Sequence, residues 1–314
     1  MRAPLAGFAA AVCVALVALV ALTLAGSGVG LAPTAVQLVV TRDFGGSVLH
    51  RAGPLKADDD ETVMRLLRDH DAVDAISGGR IVQGIDGLSS HEEAGEPLDW
   101  FYYVNGVEAP RGAAATSVHP GDHVWWDLHN WSQAEKIPAV VGSFPEPFLN
   151  GIEGRRLPVR IECAAAAPSA CSTVIARLRA LGVPAAVAAI GSGGAPETLR
   201  VMVAPWGGLE ASLAQSLERG PRTSGVYARF SANGGALSLL DQNGRTVQTL
   251  SAGSGLIAAT QQPKEAPVWV ITGTDIAGVD RAADALERST LEDRFAAAIT
   301  PGGSIALPER SGTL

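Results

Sequence analysis

Apolar and polar positions along the first third of the chain predict strands around a glycine turn. The run Val36–Val40 is apolar except for one glutamine, and it is followed by polar residues, Gly45-Gly46 and a second short run, Ser47–His50. Two strands joined at the Gly-Gly pair fit this pattern. Further along, Ile81–Ile85 has the composition of another strand.

A helix is predicted between these strands, immediately after an acidic run. The four acidic residues 58–61 complement the positive end of a helix dipole, and Asp60 is the expected N-cap. The apolar residues that follow recur on one helical face: Val63, Met64, Leu66 and Leu67. The acidic run lacks the alternating oxygen ligands and the glycine of an EF-hand calcium loop, so a helix start is the better interpretation.

The stretch Asp99–Trp131 carries the clearest hairpin signals. The aromatic run Trp100–Val104 ends at Asn105-Gly106, and both turn residues accept the positive φ that a type I′ turn requires. Pro120-Gly121-Asp122 then turns the chain into a second strand, His123–Trp131. The order of elements up to this point is strand, strand, helix and hairpin.

Alternation along the strand His123–Trp131 separates its side chains into two faces. One face is apolar and is predicted to be core: Val124, Trp126 and Leu128. The other is amphipathic and is expected to point outward: His123, Trp125, Asp127, His129 and Trp131. Three interpretations of this outer face stay open, namely a transition-metal site, an aromatic surface for a planar ligand or glycan, and a solvated polar face. We rank the metal site lowest and predict no metal ligand.

The same stretch carries a family resemblance. Trp100, the run Tyr103-Val104-Asn105-Gly106, the pair Gly121-Asp122 and the run Val124-Trp125-Trp126 resemble the DUF4430 family, which is similar to the C-terminal β-domain of transcobalamin and intrinsic factor. The resemblance covers Val36–Trp131 and implies a β-grasp-like fold. It also implies non-enzymatic ligand binding, with cobalamin as the ligand of the best-understood members.

The second half of the chain starts a new alternation of strands and helices. Strands are predicted at 157–163, 184–190, 198–203, 227–230, 236–241, 245–250 and 268–273. Helices are predicted at 171–181, 209–219 and 278–288. This pattern predicts an α/β sandwich, for which we recognise no family. The fold class is therefore α+β: a β-grasp-like N-terminal domain followed by a separate α/β sandwich domain.

Four segments are predicted along the chain. Residues 1–32 contain Arg2 and a long uncharged apolar run, which is typical of an export signal and long enough to cross a membrane. A cleaved signal peptide and an N-terminal membrane anchor both stay open, and the remaining chain is expected outside the cytoplasm, secreted or anchored. Residues 33–131 form the β-grasp domain, 132–154 a Pro/Gly-containing linker and 155–314 an α/β domain of unknown function.

Charge and cysteine content narrow the function classes. The net charge is −8 and no Lys/Arg cluster is longer than Arg155-Arg156, which argues against nucleic acid as a partner. In an exported protein, Cys163 and Cys171 are predicted to form a disulfide. The alternative is two free or metal-bound thiols, but a metal site would need further ligands at close spacing, and none follow.

No pattern of catalytic residues emerges from the second half. The run Gly191–Gly194 is followed by Pro196 and a strand rather than a helix, which excludes a dinucleotide-binding fingerprint. Asp241 and Asp275 are the carboxylates that a hydrolase would use, yet ordinary turn chemistry explains them better. We therefore predict no enzyme activity and no catalytic residue.

The leading hypothesis is extracytoplasmic capture of a small-molecule ligand, or its presentation to a membrane transporter. The resemblance points to a corrinoid as the ligand, and no other cofactor is predicted. The predicted ligand-binding residues all come from the aromatic stretch: Trp100, Tyr102, Asn105, Gly106, Trp125 and Trp131. The alternative is a cell-envelope adhesion or assembly protein that docks an envelope protein through its aromatic face.

Overall fold

The structure is a computed structural model that describes residues 34–310. The predicted export signal or membrane anchor therefore lies outside the described residues. Within residues 34–310, no helix is both long enough and apolar enough to cross a membrane. The described residues 34–310 belong to one compact unit.

The first half builds a six-stranded mixed sheet and a small three-stranded sheet. Its strands are β1 (Val36–Arg42), β2 (Ser47–Leu55), β3 (Val73–Ile76), β4 (Ile81–Ile85), β5 (Leu88–Ser89), β6 (His91–Glu93), β7 (Glu96–Val104), β8 (Val107–Glu108) and β9 (His123–Asn130). The large sheet has the order β2-β1-β9-β7-β6, with β8 paired to β7, and the small sheet has the order β3-β4-β5. The two central strands β1 and β9 run parallel, whereas β1–β2 and β7–β9 are antiparallel. This arrangement, with a helix between the β1–β2 hairpin and the later strands, is the predicted β-grasp-like one.

Helix α1 (Val63–Arg68) covers one face of the large sheet. All four residues of its predicted apolar face are buried in a cluster with strand residues such as Leu38, Trp126 and Leu128. The N-cap is Thr62 rather than Asp60, because the Thr62 hydroxyl accepts a hydrogen bond from the Arg65 N–H while its backbone is extended. The acidic run therefore precedes the helix instead of capping it.

The second half builds a seven-stranded sheet with the order β11-β10-β12-β17-β16-β18-β19, and a three-stranded sheet with the order β13-β14-β15. Its strands are β10 (Val159–Cys163), β11 (Ala185–Ala189), β12 (Leu199–Pro205), β13 (Ala228–Phe230), β14 (Leu237–Leu240), β15 (Thr246–Leu250), β16 (Gly255–Thr260), β17 (Val268–Gly273), β18 (Ala296–Thr300) and β19 (Gly303–Leu307). Its helices are α2 (Pro168–Ala180), α3 (Ala211–Glu218), α4 (Pro221–Ser224), α5 (Ile276–Asp284) and α6 (Arg288–Leu291). The predicted α+β class is confirmed. Three of these strands, β16, β18 and β19, were not predicted.

The predicted disulfide is present between Cys163 and Cys171. It joins the end of β10 to the first turn of α2, with the two Cα atoms 5.9 Å apart. The helix begins at Pro168, three residues before the predicted start, because proline is well suited to the first turn of a helix.

The segment 132–154 is not an exposed connection. It contains no regular helix or strand, but most of its apolar side chains are buried, including Val140, Val141 and Phe144. Val140 belongs to the same apolar cluster as Trp125 of the first sheet, and Phe144 belongs to a cluster with Trp269 of β17. This corrects the expectation of a linker, because the segment fills space between the two sheets.

Candidate functional site

A pocket of about 350 Å³ opens beside the large sheet of the first half. Strands β7 and β9, strand β4 of the small sheet and the loop that follows β8 surround it. We call it the aromatic pocket; its lining residues are Arg80, Ile81, Val82, Trp100, Phe101, Tyr102, Glu108, Ala109, Pro110, Arg111, Gly112, Ala113, Trp126 and Lys136. Two predicted ligand-binding residues, Trp100 and Tyr102, therefore lie together in one pocket.

Alternation along two paired strands produces the aromatic side of this pocket. Tyr102 and Trp126 are opposite each other in the β7–β9 register, and their rings stack with centroids 4.7 Å apart. Trp100 lies two residues before Tyr102 and so projects from the same face of β7. Stacked aromatic rings present a flat apolar surface, which suits a flat apolar ligand.

The polar groups of two of these rings form hydrogen bonds with the surrounding loops. The Tyr102 hydroxyl donates to the Arg111 carbonyl at 2.6 Å and lies 2.9 Å from the Thr116 hydroxyl. Burial raises the pKa of Tyr102, so the phenol stays protonated and keeps its donor. The Trp100 N–H donates to the Leu88 carbonyl at 3.1 Å. These bonds fix two walls of the pocket.

The second indole of the pocket is different from the first. Trp126 is 2% exposed, and its ring N–H has no hydrogen-bond partner among the described residues. A buried donor without a partner costs free energy, about 1–3 kcal/mol. The N–H itself has almost no exposed surface. An acceptor on a ligand that reached it, after a shift of the side chains that cover it, would remove that cost.

Three basic residues stand around the aromatic surface: Arg80, Arg111 and Lys136. We call them the basic rim. All three are exposed, and only Arg111 forms an ion pair with a described residue, to Glu153 at 2.6 Å. Glu108 is the one carboxylate among the lining residues. Its Oε2 accepts from the Ile137 N–H, and burial raises its pKa.

Gly112 allows two parts of the basic rim to approach each other. A Cβ at this position would lie 2.8 Å from the Arg80 carbonyl oxygen, closer than real Cβ contacts allow. The absence of a side chain therefore lets the β3–β4 hairpin, which carries Arg80, pack against the loop that carries Arg111.

Comparison with protein families places this pocket in a known domain. Residues 60–130 match the model of a family described as "Domain of unknown function (DUF4430)". This segment is similar to the DUF4430 family. The predicted resemblance is thus confirmed for residues 60–130, and the second half matches no family model. No curated protein matches the chain.

The DUF4430 match includes almost the whole aromatic pocket. The aromatic residues, Arg80 and Arg111 all lie within residues 60–130, whereas Lys136 comes from the segment that follows. The pocket is therefore mainly a property of this domain, completed by one residue from the buried segment 132–154.

The other predicted ligand-binding residues lie elsewhere. Asn105 is fully buried with φ 54°, and Gly106 has φ 76°, so the predicted turn is present. The Asn105 amide donates to Asp122 at 2.7 Å and to the Gly151 carbonyl at 2.9 Å. The packing around the turn accounts for both residues, away from the aromatic pocket.

The expectation of an outward-facing surface on β9 is wrong. Trp125, Asp127 and His129 are each at most 1% exposed, because the second half of the chain covers this face of the sheet. Trp125 and His129 both pack edge-to-face against Phe295, with centroids 5.1 and 5.3 Å apart. The face that was predicted to dock another protein is therefore already occupied within the chain.

Trp131 lies at the end of this face and is only partly buried. Its indole N–H donates to Asp99 at 2.8 Å, and it does not line the aromatic pocket.

The two histidines of this face, His123 and His129, contact different partners and do not form a shared cluster of ligands. His129 Nδ1 lies 2.9 Å from Asp127, whereas His123 Nδ1 lies 2.8 Å from the Ser143 hydroxyl. Burial lowers the pKa of His123 to about 4, with Arg288 and Arg51 adding to the effect. Within residues 34–310, no three His, Cys, Asp or Glu side chains come together as a metal site would need.

The two carboxylates of the hydrolase alternative have structural contacts. Asp241 Oδ1 accepts from the Asn243 and Arg245 N–H groups, both at 2.9 Å. Asp275 is the N-cap of α5, where its carboxylate accepts from Gly278 and Gly253, both at 2.8 Å. The predicted turn chemistry accounts for the Asp241 contacts, whereas Asp275 caps a helix, which was not predicted.

Among the lining residues that sequence reasoning missed, four matter for ligand binding: Arg80, Arg111, Trp126 and Lys136. Trp126 was assigned to the core, which is correct for most of the ring but overlooks its unpaired N–H. The basic residues are isolated in the sequence and far apart, so no local pattern marked them. The useful signal was the pairing of alternate aromatic residues on two adjacent strands.

Proposed function

We propose that this protein is an extracytoplasmic, non-enzymatic ligand-binding protein whose DUF4430 domain holds a small molecule in the aromatic pocket. The observation that carries the proposal is the buried Trp126 N–H, which has no partner among the described residues although it belongs to a pocket-lining ring. Binding pockets combine apolar and aromatic walls with a few convergent polar groups, and the aromatic pocket has this composition.

Location outside the cytoplasm is part of the proposal. The apolar run near the amino terminus is typical of an export signal. The Cys163–Cys171 disulfide supports the same compartment, because disulfides persist mainly in oxidising surroundings. Such a protein would capture its ligand outside the cytoplasm and present it to a membrane transporter.

A corrinoid is the first ligand to test, because the resemblance of the first half implies it. The pocket volume of about 350 Å³ is near the lower end of the usual range for small-molecule sites, so a corrinoid macrocycle would insert only one edge of its structure.

The test is a titration of the purified protein with cobalamin, its precursors and a panel of smaller aromatic metabolites, followed by thermal shift and tryptophan fluorescence. We expect saturable stabilisation that grows with ligand concentration, as linkage requires. The Trp126→Phe variant keeps an aromatic ring but removes the N–H, and its affinity should fall by roughly two- to tenfold.

The matched control is Trp131→Phe, which removes an indole N–H that is paired with Asp99 outside the pocket. Equal losses in the two variants would show that the Trp126 N–H makes no specific contact and would contradict binding in the aromatic pocket. A flat response to every compound would contradict ligand capture and favour an envelope protein as the partner.

A further inference from the structure

We infer that the ligand of the aromatic pocket is a small organic anion, in which a flat apolar group lies beside a carboxylate, sulfonate or phosphate. This inference rests on the proposed function, since it names the class of ligand for the same pocket. It follows from the kinds of polar groups that the pocket offers and from the charges around it.

The polar groups available in the pocket are donors. The guanidinium groups of Arg80 and Arg111 and the Lys136 ammonium can only donate hydrogen bonds. Acceptors are scarce. Glu108 Oε2 already accepts from the Ile137 N–H, and the Tyr102 hydroxyl is engaged with the Arg111 carbonyl and Thr116. A ligand that satisfies this set must be rich in acceptors.

The charge around the pocket has the opposite sign to that of the chain. The whole sequence carries a net charge of −8, whereas the lining residues include three cations and one carboxylate. Neither Arg80 nor Lys136 forms an ion pair with any residue of the described part of the chain. Lys136 interacts electrostatically with Glu108, but it is not in an ion pair with that carboxylate. Two cations outside any ion pair, beside an aromatic surface, favour an anion over a neutral molecule of the same shape.

The ligand's two parts would meet different parts of the pocket. Its flat group would pack on the aromatic surface of Trp100, Tyr102 and Trp126, where the Tyr102–Trp126 stack is already formed. Its anionic group would face the basic rim, where an arginine can hold a planar carboxylate or a phosphate with two parallel hydrogen bonds.

The test compares two fluorescent probes that share an anilinonaphthalene framework. Anilinonaphthalene sulfonate is an anion, and phenylnaphthylamine is its neutral counterpart without the sulfonate. We expect the folded full-length protein to bind the anionic probe roughly three- to tenfold more tightly at low salt, the range that two exposed ion pairs provide. This preference should shrink as NaCl rises from about 20 mM to about 500 mM.

The double variant Arg80→Gln/Lys136→Gln removes the two cations of the basic rim that form no ion pair. Both residues are exposed, so folding should be preserved, and circular dichroism would confirm it. This variant should lose the preference for the anionic probe while it keeps its affinity for the neutral one. The control Arg219→Gln/Lys264→Gln removes the same charge from exposed positions outside the pocket and should retain the preference.

The outcomes separate this inference from the proposed function. If both probes bind the wild type equally, and Trp126→Phe weakens both, ligand binding at the pocket stands and the anionic class is wrong. The same conclusion follows if the control variant loses the preference as fully as the basic-rim variant does. If neither probe binds, the ligand pocket itself is contradicted.

Discussion

His129 and Asp127 form a buried pair on β9, with His129 Nδ1 2.9 Å from Asp127 Oδ1. The imidazole is stacked on Phe101 with ring centroids 4.5 Å apart, and Phe295 of the second half approaches it edge-on. Two residues that in sequence resemble part of a metal site thus serve to join the first sheet to the layer that covers it.

The Asp127 carboxylate is predicted to be a major source of stability. It accepts hydrogen bonds from the Thr41 hydroxyl at 2.5 Å and from the backbone N–H groups of Phe44 and Gly45 at 3.0 and 2.8 Å. Asp127→Ala leaves the Phe44 and Gly45 N–H groups without this acceptor and should lower the free energy of unfolding by about 3–5 kcal/mol.

Urea-induced unfolding, followed by circular dichroism, would measure this loss. Asp59→Ala is the matched control, because it removes a carboxylate from an exposed position and should change stability by about 0.5 kcal/mol or less. A cost below about 1 kcal/mol for Asp127→Ala would mean that the network does not stabilise the fold.

Phe295 is predicted to couple the unfolding of the two halves. Its ring contacts Phe44, Tyr103, Trp125 and His129 of the first half, although it precedes β18 in the second half. Phe295→Ala should cost about 3–5 kcal/mol, whereas Phe295→Leu should cost much less because it preserves most of the volume.

Because this cluster is shared, wild-type unfolding should show one transition. Near-ultraviolet circular dichroism, tryptophan fluorescence and far-ultraviolet circular dichroism should report the same midpoint. Two separated transitions, with Phe295→Ala shifting only one of them, would show that the halves unfold independently.

Local signals along the sequence predicted much of the fold. The pair Asn105-Gly106 identified its turn because few residue types accept positive φ at both positions. Hydrophobic periodicity placed α1 and most strands. It missed β16 and β18, since Gly255–Thr260 and Ala296–Thr300 are rich in alanine and glycine, which have low strand propensity.

Long-range packing could not be predicted in the same way. Alternation correctly separated Trp125 from Trp126, but it cannot reveal that a second layer covers the Trp125 face. Arg80 and Arg111 are 31 positions apart, and only the fold brings them to one pocket. The candidate site was therefore predicted in part, through Trp100 and Tyr102, whereas its charged groups required the structure.

The Cys163–Cys171 disulfide is predicted to contribute modestly to stability. It closes a short loop, with a sequence separation of 8, so the chain-entropy estimate is about 2–3 kcal/mol. Cys163→Ser/Cys171→Ser, compared with the wild type under oxidising conditions, should show this loss in urea-induced unfolding. With a reducing agent present the two proteins should become nearly equal in stability. A variant as stable as the oxidised wild type would contradict the prediction.

Glu146 is predicted to make stability depend on pH. It is buried, both of its oxygens accept from Asn150, and burial raises its pKa to about 7, with Asp122 adding to the effect. In the unfolded chain its pKa returns to the ordinary value of 4.5. The folded protein therefore holds a proton on Glu146 between these two values that the unfolded chain has lost.

The contribution of the protonated carboxyl is fully present below about pH 4.5, and it is lost as the pH rises towards 7 and above. At about 1.4 kcal/mol per pKa unit, the loss by pH 8 is about 3 kcal/mol.

Glu146→Gln resembles the protonated form and does not titrate, so the variant should gain stability relative to the wild type as the pH rises. Urea-induced unfolding of both proteins between pH 4 and pH 8 would measure the difference. Glu218→Gln, at an exposed position, is the control for the loss of one negative charge. A difference between Glu146→Gln and the wild type that stays constant across this range would show that Glu146 does not titrate between the two pKa values.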